Sequence, residues 1–415
     1  ECRVETKQRV FKCIASGLGF PSIKHEELNV RQLENKFGVT HKDARSWALV
    51  LCMSPGITGR KNTQKTRSEG GGGTIITAKC IELALGDGFD FSFSNLQLGP
   101  HTGDPHNFKT FEDFFEAFKK HFEHAVWINV ATRDASREFE ARYVECTFVS
   151  AIDDACVEEG VGAMRLVNVP NPWFNTFSNI DAVDSLAAVK KLIYEEKKYT
   201  IDQLLKALKA DWVGYEEMRQ DFRNVPKFGN DDDYVDDIAK KVYDMMYEAA
   251  SKHTGFSGVP PMPLGQSVSL FSALGPRVGA LPSGRKHGEV TGDGGISPYM
   301  AMDKKGPTAV LKSVSKVDSS KYKGLQLNQR LSQTLMTSDK GFDLWLTYMN
   351  AWYNLNIDHV QFNVVSTEEM KEAQEKPEEY EDLIVRIAGF SAKFNNLTQY
   401  SQDSLIARTV QELGK

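Results

Sequence analysis

Apolar residues recur at helical spacing through the middle of the chain. Phe111, Phe114, Phe115, Phe118 and Phe122 fall three or four positions apart, which gathers them on one face of a helix. Thr110-Phe-Glu-Asp113 just ahead has the form of a helix-starting box, in which a hydroxyl and a carboxylate satisfy each other's free backbone N–H. The same periodicity predicts helices over 5–14, 185–198, 200–212 and 231–252, the third opened by its own box, Thr200-Ile-Asp-Gln203. Asp231, Asp232 and Asp233 suit the positive end of the last helix and lack the spacing and central glycine of a calcium loop.

Short runs rich in β-branched and aromatic residues predict strands over 125–130, 143–149, 267–271, 309–314 and 359–365. The apolar run 47–53 reads as a buried strand that ends in a sharp turn, because Cys52 is followed by Met53-Ser54-Pro55-Gly56. Strands alternating with helices predict an α/β architecture, a barrel or a layered sheet. Three Gly/Pro-rich stretches, 54–74, 255–265 and 275–298, are too long for simple turns, and loops of that length usually carry function.

At 415 residues the chain can bury a sizeable core. Its 50 Lys+Arg against 56 Asp+Glu leave a net charge of −6, which argues against a general nucleic-acid partner. No apolar run approaches the roughly 20 residues that cross a bilayer, and Glu1-Cys2-Arg3-Val4 does not resemble a signal peptide, so a cytoplasmic protein is expected. Six cysteines lie scattered without CxxC or zinc spacing, which predicts reduced thiols. The chain opens inside its first predicted helix and without Met, so a piece of a longer protein is expected.

Most familiar chemistries fail on spacing. Gly17-Leu-Gly19 begins a dinucleotide pattern, but Ser22 holds the third glycine position and no strand leads into it. There is no GxxxxGK[ST] loop, GxSxG elbow or HExxH helix. His101, Asp104 and His106 are close in sequence but read as solvated loop residues, and no metal is assigned. What remains is an isolated cysteine, Cys52, at a turn next to a glycine-rich stretch.

Asp358-His-Val-Gln-Phe-Asn-Val-Val365 and Leu383-Ile-Val-Arg-Ile-Ala-Gly389-Phe-Ser-Ala392 resemble the radical-bearing end of the glycyl radical enzymes. Pro282-Ser-Gly-Arg285-Lys286, Asp293-Gly-Gly-Ile-Ser-Pro298 and Gly306-Pro-Thr-Ala-Val310 are similar to other motifs of that family, in the same order. Leu51-Cys-Met-Ser-Pro-Gly56 and Thr63-Gln-Lys-Thr-Arg-Ser-Glu-Gly-Gly71 resemble its fumarate-adding branch, the benzylsuccinate synthase-like and alkyl- or arylalkylsuccinate synthase subunits. The resemblance runs the whole chain, which would be the C-terminal half of a catalytic subunit.

The resemblance implies the C-terminal half of a ten-stranded α/β barrel, with a cysteine loop and a glycine loop meeting at its centre. It implies a partial barrel over 1–340 and a glycyl radical domain over 341–415. The catalytic residues would be Gly389, carrying a post-translational backbone radical, and Cys52, relaying it as a thiyl. Glycine suits the first role because the missing side chain lets the radical centre become planar. The thiyl would take hydrogen from an arylalkane such as toluene or a methylnaphthalene, or from an alkane. The carbon radical would then add to fumarate, a cycle that needs no dissociable cofactor.

By the same resemblance Arg67 would bind a fumarate carboxylate through its planar fork, each charge-assisted bond contributing about 1.5–3 kcal/mol. Gln266 would make a second fumarate contact, and Leu51, Trp173, Val268 and Leu270 would line the hydrocarbon pocket. The partners implied are fumarate, the hydrocarbon, a radical S-adenosylmethionine activating enzyme, small accessory subunits and the missing N-terminal half. An anaerobic organism is implied with them. Two alternatives remain open: a dehydratase or decarboxylase using Cys156-Val157-Glu158, which mimics the Cys-x-Glu pair of those branches, and a non-catalytic fragment or spare-part protein.

Overall fold

A computed structural model describes residues 3–50, 54–57, 73–166, 172–255, 258–266, 273–387, 389–408 and 410–411. Its strands, in chain order, are β1 (Ile23–Lys24), β2 (Trp47–Val50), β3 (Ser54–Ile57), β4 (Thr74–Ile76), β5 (Trp173–Phe177), β6 (Met262–Gly265), β7 (Gly324–Leu325), β8 (Asn328–Leu331), β9 (His359–Asn363), β10 (Ile384–Arg386), β11 (Ser391–Lys393) and β12 (Val410–Gln411).

The strands β4, β5, β6 and β7 pair in that order, all parallel, with Thr74 opposite Asn175, Trp173 opposite Met262 and Leu264 opposite Gly324. A second sheet has the order β1-β9-β8-β12, in which β8 pairs parallel with both β9 and β12. The backbone runs from β7 through Gln326 and Leu327 straight into β8 and joins the two sheets: the Gln326 N–H donates to the Gly265 carbonyl at 2.9 Å, and the Gln361 N–H to the Leu327 carbonyl at 3.1 Å. The result is one wall of parallel strands, β4-β5-β6-β7/β8-β9.

Parallel neighbours need crossovers, and helices supply them. Lys79–Leu85 and the long helix Phe111–Tyr143 lie between β4 and β5, and Asn179–Val189, Ile201–Lys209, Glu216–Asn224 and Asp233–Ser251 between β5 and β6. Pro307–Ser315 lies between β6 and β7, and Gly341–Asn354 between β8 and β9. Their apolar faces share one core that includes Phe118, Phe122, Leu186, Val242, Val310 and Trp345.

Both predicted helix boxes form. The Thr110 hydroxyl accepts from the Asp113 N–H at 3.2 Å while the Asp113 carboxylate accepts from the Thr110 N–H at 2.9 Å, and Thr200 and Gln203 repeat the arrangement. The helix at 185–198 begins earlier, at Asn179, and ends in a π-helical turn, Lys190–Glu195.

Three of the predicted strands are not strands. Residues 125–130 continue the 33-residue helix Phe111–Tyr143, with Val126 and Val130 buried as the next steps of the Phe118–Phe122 stripe and Trp127 and Ile128 facing solvent. The period there is helical, and β-branched composition alone was misleading. Residues 143–149 end that helix and begin another, Thr147–Ile152. Residues 309–314 lie in Pro307–Ser315, a helix opened by proline at its first position. The run 359–365 contains β9, whereas 267–271 lies outside the described residues. Of the long loops, 54–74 begins with β3 and 255–265 ends in β6.

The loop 275–298 contains a single 3-10 turn, Gly275–Arg277, and is fixed from within. The buried Arg285 guanidinium donates to the carbonyls of Val278 and Gly279 at 3.1 and 2.9 Å, of Gly275 at 3.2 Å, and of Glu289. Its far end lies across the carboxyl ends of β6 and β7, where the Gly295 N–H donates to the Gln326 carbonyl at 3.0 Å. Gly295 is in such close contact with Gly265 that a Cβ there would collide with the Gly265 backbone. Asp181, fully buried in the helix Asn179–Val189, accepts from the Gly292 N–H at 2.9 Å. Burial pushes the Asp181 carboxyl up to about 6, against the opposing influence of Arg285 and that N–H.

Two outcomes follow from this anchoring. Gly295→Ala should destabilise the chain by about 1–3 kcal/mol, because backbone and not a flexible side chain would have to move; an unchanged urea midpoint would contradict the close approach. The folded state binds the Asp181 proton more tightly than the unfolded chain, so stability should decline as pH rises from about 4 through about 6. Asp181→Asn can still accept from Gly292, and should flatten that decline by up to about 3 kcal/mol; urea titrations at both ends of the window measure it.

Candidate active site

Gly389 lies at the tip of the β10/β11 hairpin. The strands pair Arg386 with Ser391, and the Ile387 N–H donates to the Phe390 carbonyl at 3.0 Å, closing the turn that holds Gly389. Gly389 has φ +96°, a conformation L side chains rarely adopt, and it is half-buried.

The sequence also encodes the surroundings of the hairpin through strand alternation. In β9, Val360 and Phe362 enter the helical core, so His359, Gln361 and Asn363 share the opposite face. The register places Asn328 opposite Gln361 and Arg330 opposite Asn363. All five polar residues are buried. The Arg386 Nε donates to Gln361 at 2.9 Å, and the Asn363 amide donates to the Arg386 carbonyl at 3.1 Å. The Gln361 amide donates to Asn328 Oδ1 at 2.5 Å, and the Asn328 amide to Asp293 at 2.6 Å. Arg408, at the end of the helix Gln399–Ala407, donates to the carbonyls of Arg386 and Ile387 at 3.3 and 3.0 Å and pairs with Asp293 at 2.7 Å. His359 stays neutral, its pKa held far below the ordinary histidine value by burial and by the charges of Lys24 and Arg386.

Of the predicted site residues, Cys52, Leu51, Arg67, Val268 and Leu270 lie outside the described residues. Cys52 is flanked by an antiparallel pair, β2 and β3, in which Val50 is opposite Ser54. All four residues of β3 are buried, and Ser54 puts a buried hydroxyl two positions after Cys52. Gln266 is buried just past the end of β6, and its amide donates to Asn175 of β5 at 3.4 Å. Trp173 opens β5 half-buried, its ring 5.5 Å from the Lys323 ammonium. Gln266 thus sets an amide at the carboxyl end of β6, the customary place for ligands in α/β sheets, beside Asn175 in the middle of β5.

Cys156 is elsewhere. It packs with Ala155, Ala163, Met164 and Leu166 in a small cluster separate from the main core, and Glu158 is exposed. The Cys80 thiol is buried in the main core and pushed up to about 12 by burial, so it stays protonated. His101 and His106 are exposed and bond to Asp87 and Asp104, and no metal-binding cluster occurs among the described residues. No described helix is long and apolar enough to cross a membrane. A cavity of about 740 Å³ lies between β4 and the long helix, lined by His121, Ile128 and Arg133, and includes none of the predicted site residues.

Asn175, Asp293, Asn328, His359, Gln361, Asn363, Arg386 and Arg408 were missing from the expected site. A signal existed for three of them, since His359-Val-Gln-Phe-Asn363 alternates polar and apolar although both faces of the strand are buried. Parallel strands covered on both faces ordinarily read as continuous apolar runs.

Comparison with known proteins matches residues 1–274 to the pyruvate formate lyase-like model and residues 293–395, which include Gly389, to the glycine radical model. The chain is 35% identical to trans-4-hydroxy-L-proline dehydratase of Clostridioides difficile over 97% of its own length and 50% of that protein. It is 31% identical to isethionate sulfite-lyase of Bilophila wadsworthia over 96% of its length and 48% of that protein. Among solved structures it superposes on the B12-independent glycerol dehydratase from Clostridium butyricum with a TM-score of 0.90 at 30% identity, covering 100% of this chain and 52% of that one. Hydroxyproline dehydratase from Clostridioides difficile gives 0.89 at 32%, covering 99% and 51%. The chain thus spans about half the length of the curated relatives it matches. These relatives are dehydratases and lyases, and none of them supports the fumarate-adding branch. The chain belongs to the glycyl radical enzyme family, in the pyruvate formate lyase-like fold, and carries that family's glycine radical domain with its post-translational radical.

Proposed function

We propose that the chain supplies the radical-bearing half of a glycyl radical lyase, with the radical stored at Gly389 and relayed by Cys52. The observation that carries this reading is Gly389 at the tip of a hairpin, with φ +96°, inside the matched radical domain. In the first step the Cys52 S–H bond breaks as a Gly389 Cα–H bond forms. The thiyl then takes a hydrogen atom from substrate, and the product radical recovers it from Cys52. Members of the family need a separate activating enzyme to install the radical. The ten-stranded barrel, its missing half and a division of the chain near residue 340 belong to the same proposal.

Kinship with a dehydratase and a sulfite-lyase favours elimination of a leaving group from a small polar substrate. A proton acceptor is then required beside the thiyl. Cys156-x-Glu158 does not suit the task, because the cysteine sits in a satellite cluster and the glutamate faces solvent.

A second reading, addition of a hydrocarbon to fumarate, is favoured by Ser54. A hydroxyl stands two positions after Cys52, where elimination would place a carboxylate. Hydrogen-atom transfer and addition to a double bond require no base. The neighbouring amides of Asn175 and Gln266 suit hydrogen bonding to a dicarboxylate, with Arg67 as the charged partner. Accessory subunits belong to this reading.

After anaerobic activation the full-length protein should show a glycyl radical doublet in electron paramagnetic resonance, and oxygen should cut the backbone at Gly389. Gly389→Ala should abolish both signals. Cys52→Ala should keep the doublet and lose turnover by at least about a thousandfold, whereas Cys156→Ser should retain both. Incubation with trans-4-hydroxy-L-proline, isethionate and glycerol on one side, and with fumarate plus toluene, 2-methylnaphthalene or hexane on the other, separates the two readings. Turnover lost in Cys156→Ser and retained in Cys52→Ala would overturn the assignment.

A further inference from the structure

We propose that Arg408 and Asp293 together form the latch that holds the Gly389 hairpin in the barrel, acting as positioning residues for the radical loop. The inference rests on the reading of Gly389 as the radical site.

A two-stranded ribbon of three residues a side is marginal on its own. Val385 and Ile387 seat its inner strand in an apolar cluster with Phe177, Val365 and Leu405, whereas the outer strand β11 is only partly covered, so burial holds one strand and leaves the turn to polar contacts. The N-terminal segment adds little: the Ser391 hydroxyl reaches the Leu18 carbonyl at 3.3 Å in an exposed bond, and the Phe20 ring lies 4.7 Å from the Arg386 guanidinium.

The buried charged contact comes from Arg408 and Asp293. The Arg408 and Asp293 side chains are 7% and 3% exposed and meet at 2.7 Å. The same guanidinium donates to the Arg386 and Ile387 carbonyls at 3.3 and 3.0 Å, the last two before the residues of the turn. Asp293 is tied in turn to β8 through the Asn328 amide at 2.6 Å. One ion pair therefore joins the hairpin, the loop 275–298 and the strand wall.

The pair also couples the hairpin to the segment 399–411. Arg330 donates to the Ile406 and Arg408 carbonyls, both at 3.3 Å, and β12 pairs with β8 at Val410 and Arg330. If the hairpin left its place with Arg408 still attached, it would strand Asp293 as a buried, unpaired carboxylate. If it left alone, Arg408 would keep Asp293 and lose its two carbonyl acceptors on the hairpin. Departure of the hairpin together with Arg408 thus costs the buried ion pair, and departure alone costs the two guanidinium–carbonyl bonds.

Hydrogen exchange on the full chain tests the latch without any need for turnover. In Arg408→Gln and in Asp293→Asn, amides of 384–393 should exchange about tenfold faster or more, while those of β8 and β9 keep their parent rates. Lys393→Gln, which removes an exposed pair with Asp382 on the same hairpin, should change nothing. Should Arg408→Gln fail to fold, the near-isosteric Asp293→Asn carries the test. Parent-like exchange at 384–393, or an equal increase across β8 and β9, overturns the latch. After anaerobic activation the variants should also hold the radical doublet for a shorter time than the parent. Faster local exchange with no doublet in any protein, the parent included, would uphold the latch and remove the radical reading instead.

Discussion

A backbone position that must remain without a side chain has to be held by everything except a side chain. Gly389 can make no packing contact beyond its Cα, so its location is fixed through carbonyl groups a few residues before it, which accept from Arg408 and Asn363. That demand explains why guanidinium groups are buried in this part of the molecule. Arg386, Arg408 and Arg330 lie with side chains turned into the protein and donate to carbonyls and amides, and burial lowers the Arg330 pKa to about 10 without threatening its charge at neutral pH. Lysine could not replace them, since a single ammonium lacks the fork that reaches two carbonyls and a carboxylate together.

The second constraint is the strand wall. Parallel strands need cover on both faces, and here the helices supply one side with an apolar core. The other face of β8 and β9 is lined with amides and an imidazole, covered by the hairpin and the loop 275–298. Burying so many polar groups is costly unless they satisfy one another. The chain from Asp293 through Asn328 and Gln361 to Arg386 does so with bonds of 2.5 to 2.9 Å.

The sequence revealed its helices where polar signals and apolar period agreed. Thr110-Phe-Glu-Asp113 and Thr200-Ile-Asp-Gln203 form boxes, and the phenylalanine stripe is buried as its spacing demands. It misled where β-branched residues sit in helices: Val126 and Val130 extend the stripe by steps of four, and Pro307 starts a helix over a run whose composition suggests a strand. The glycine radical domain was legible through the motif around Gly389, whereas the contact of Arg408 with Asp293 was not. They are distant in sequence and meet only because β12 returns beside β8, a pairing of two residues that leaves no periodic trace. Arg285, quoted only as part of a motif, proves to be the internal anchor of a long loop.

The chemistry of hydrogen-atom transfer gives the polar face a further meaning. A thiyl relay is set by the strength of S–H and C–H bonds and by distance, so the site needs no carboxylate tuned near neutral pH for that step. A subsequent elimination does need one, to move a proton, and an addition does not. The carboxylate tied to the hairpin, Asp293, is already engaged by Arg408 and Asn328, and the imidazole of His359 is held neutral by burial and neighbouring cations. Asp181 and Asp184, raised to about 6 and about 7 by burial, bond to the backbone of Gly292 and Phe228 and so serve the scaffold. In the proposed mechanism, therefore, the distinction between the two reactions falls on Ser54 and on whether a carboxylate stands beside Cys52.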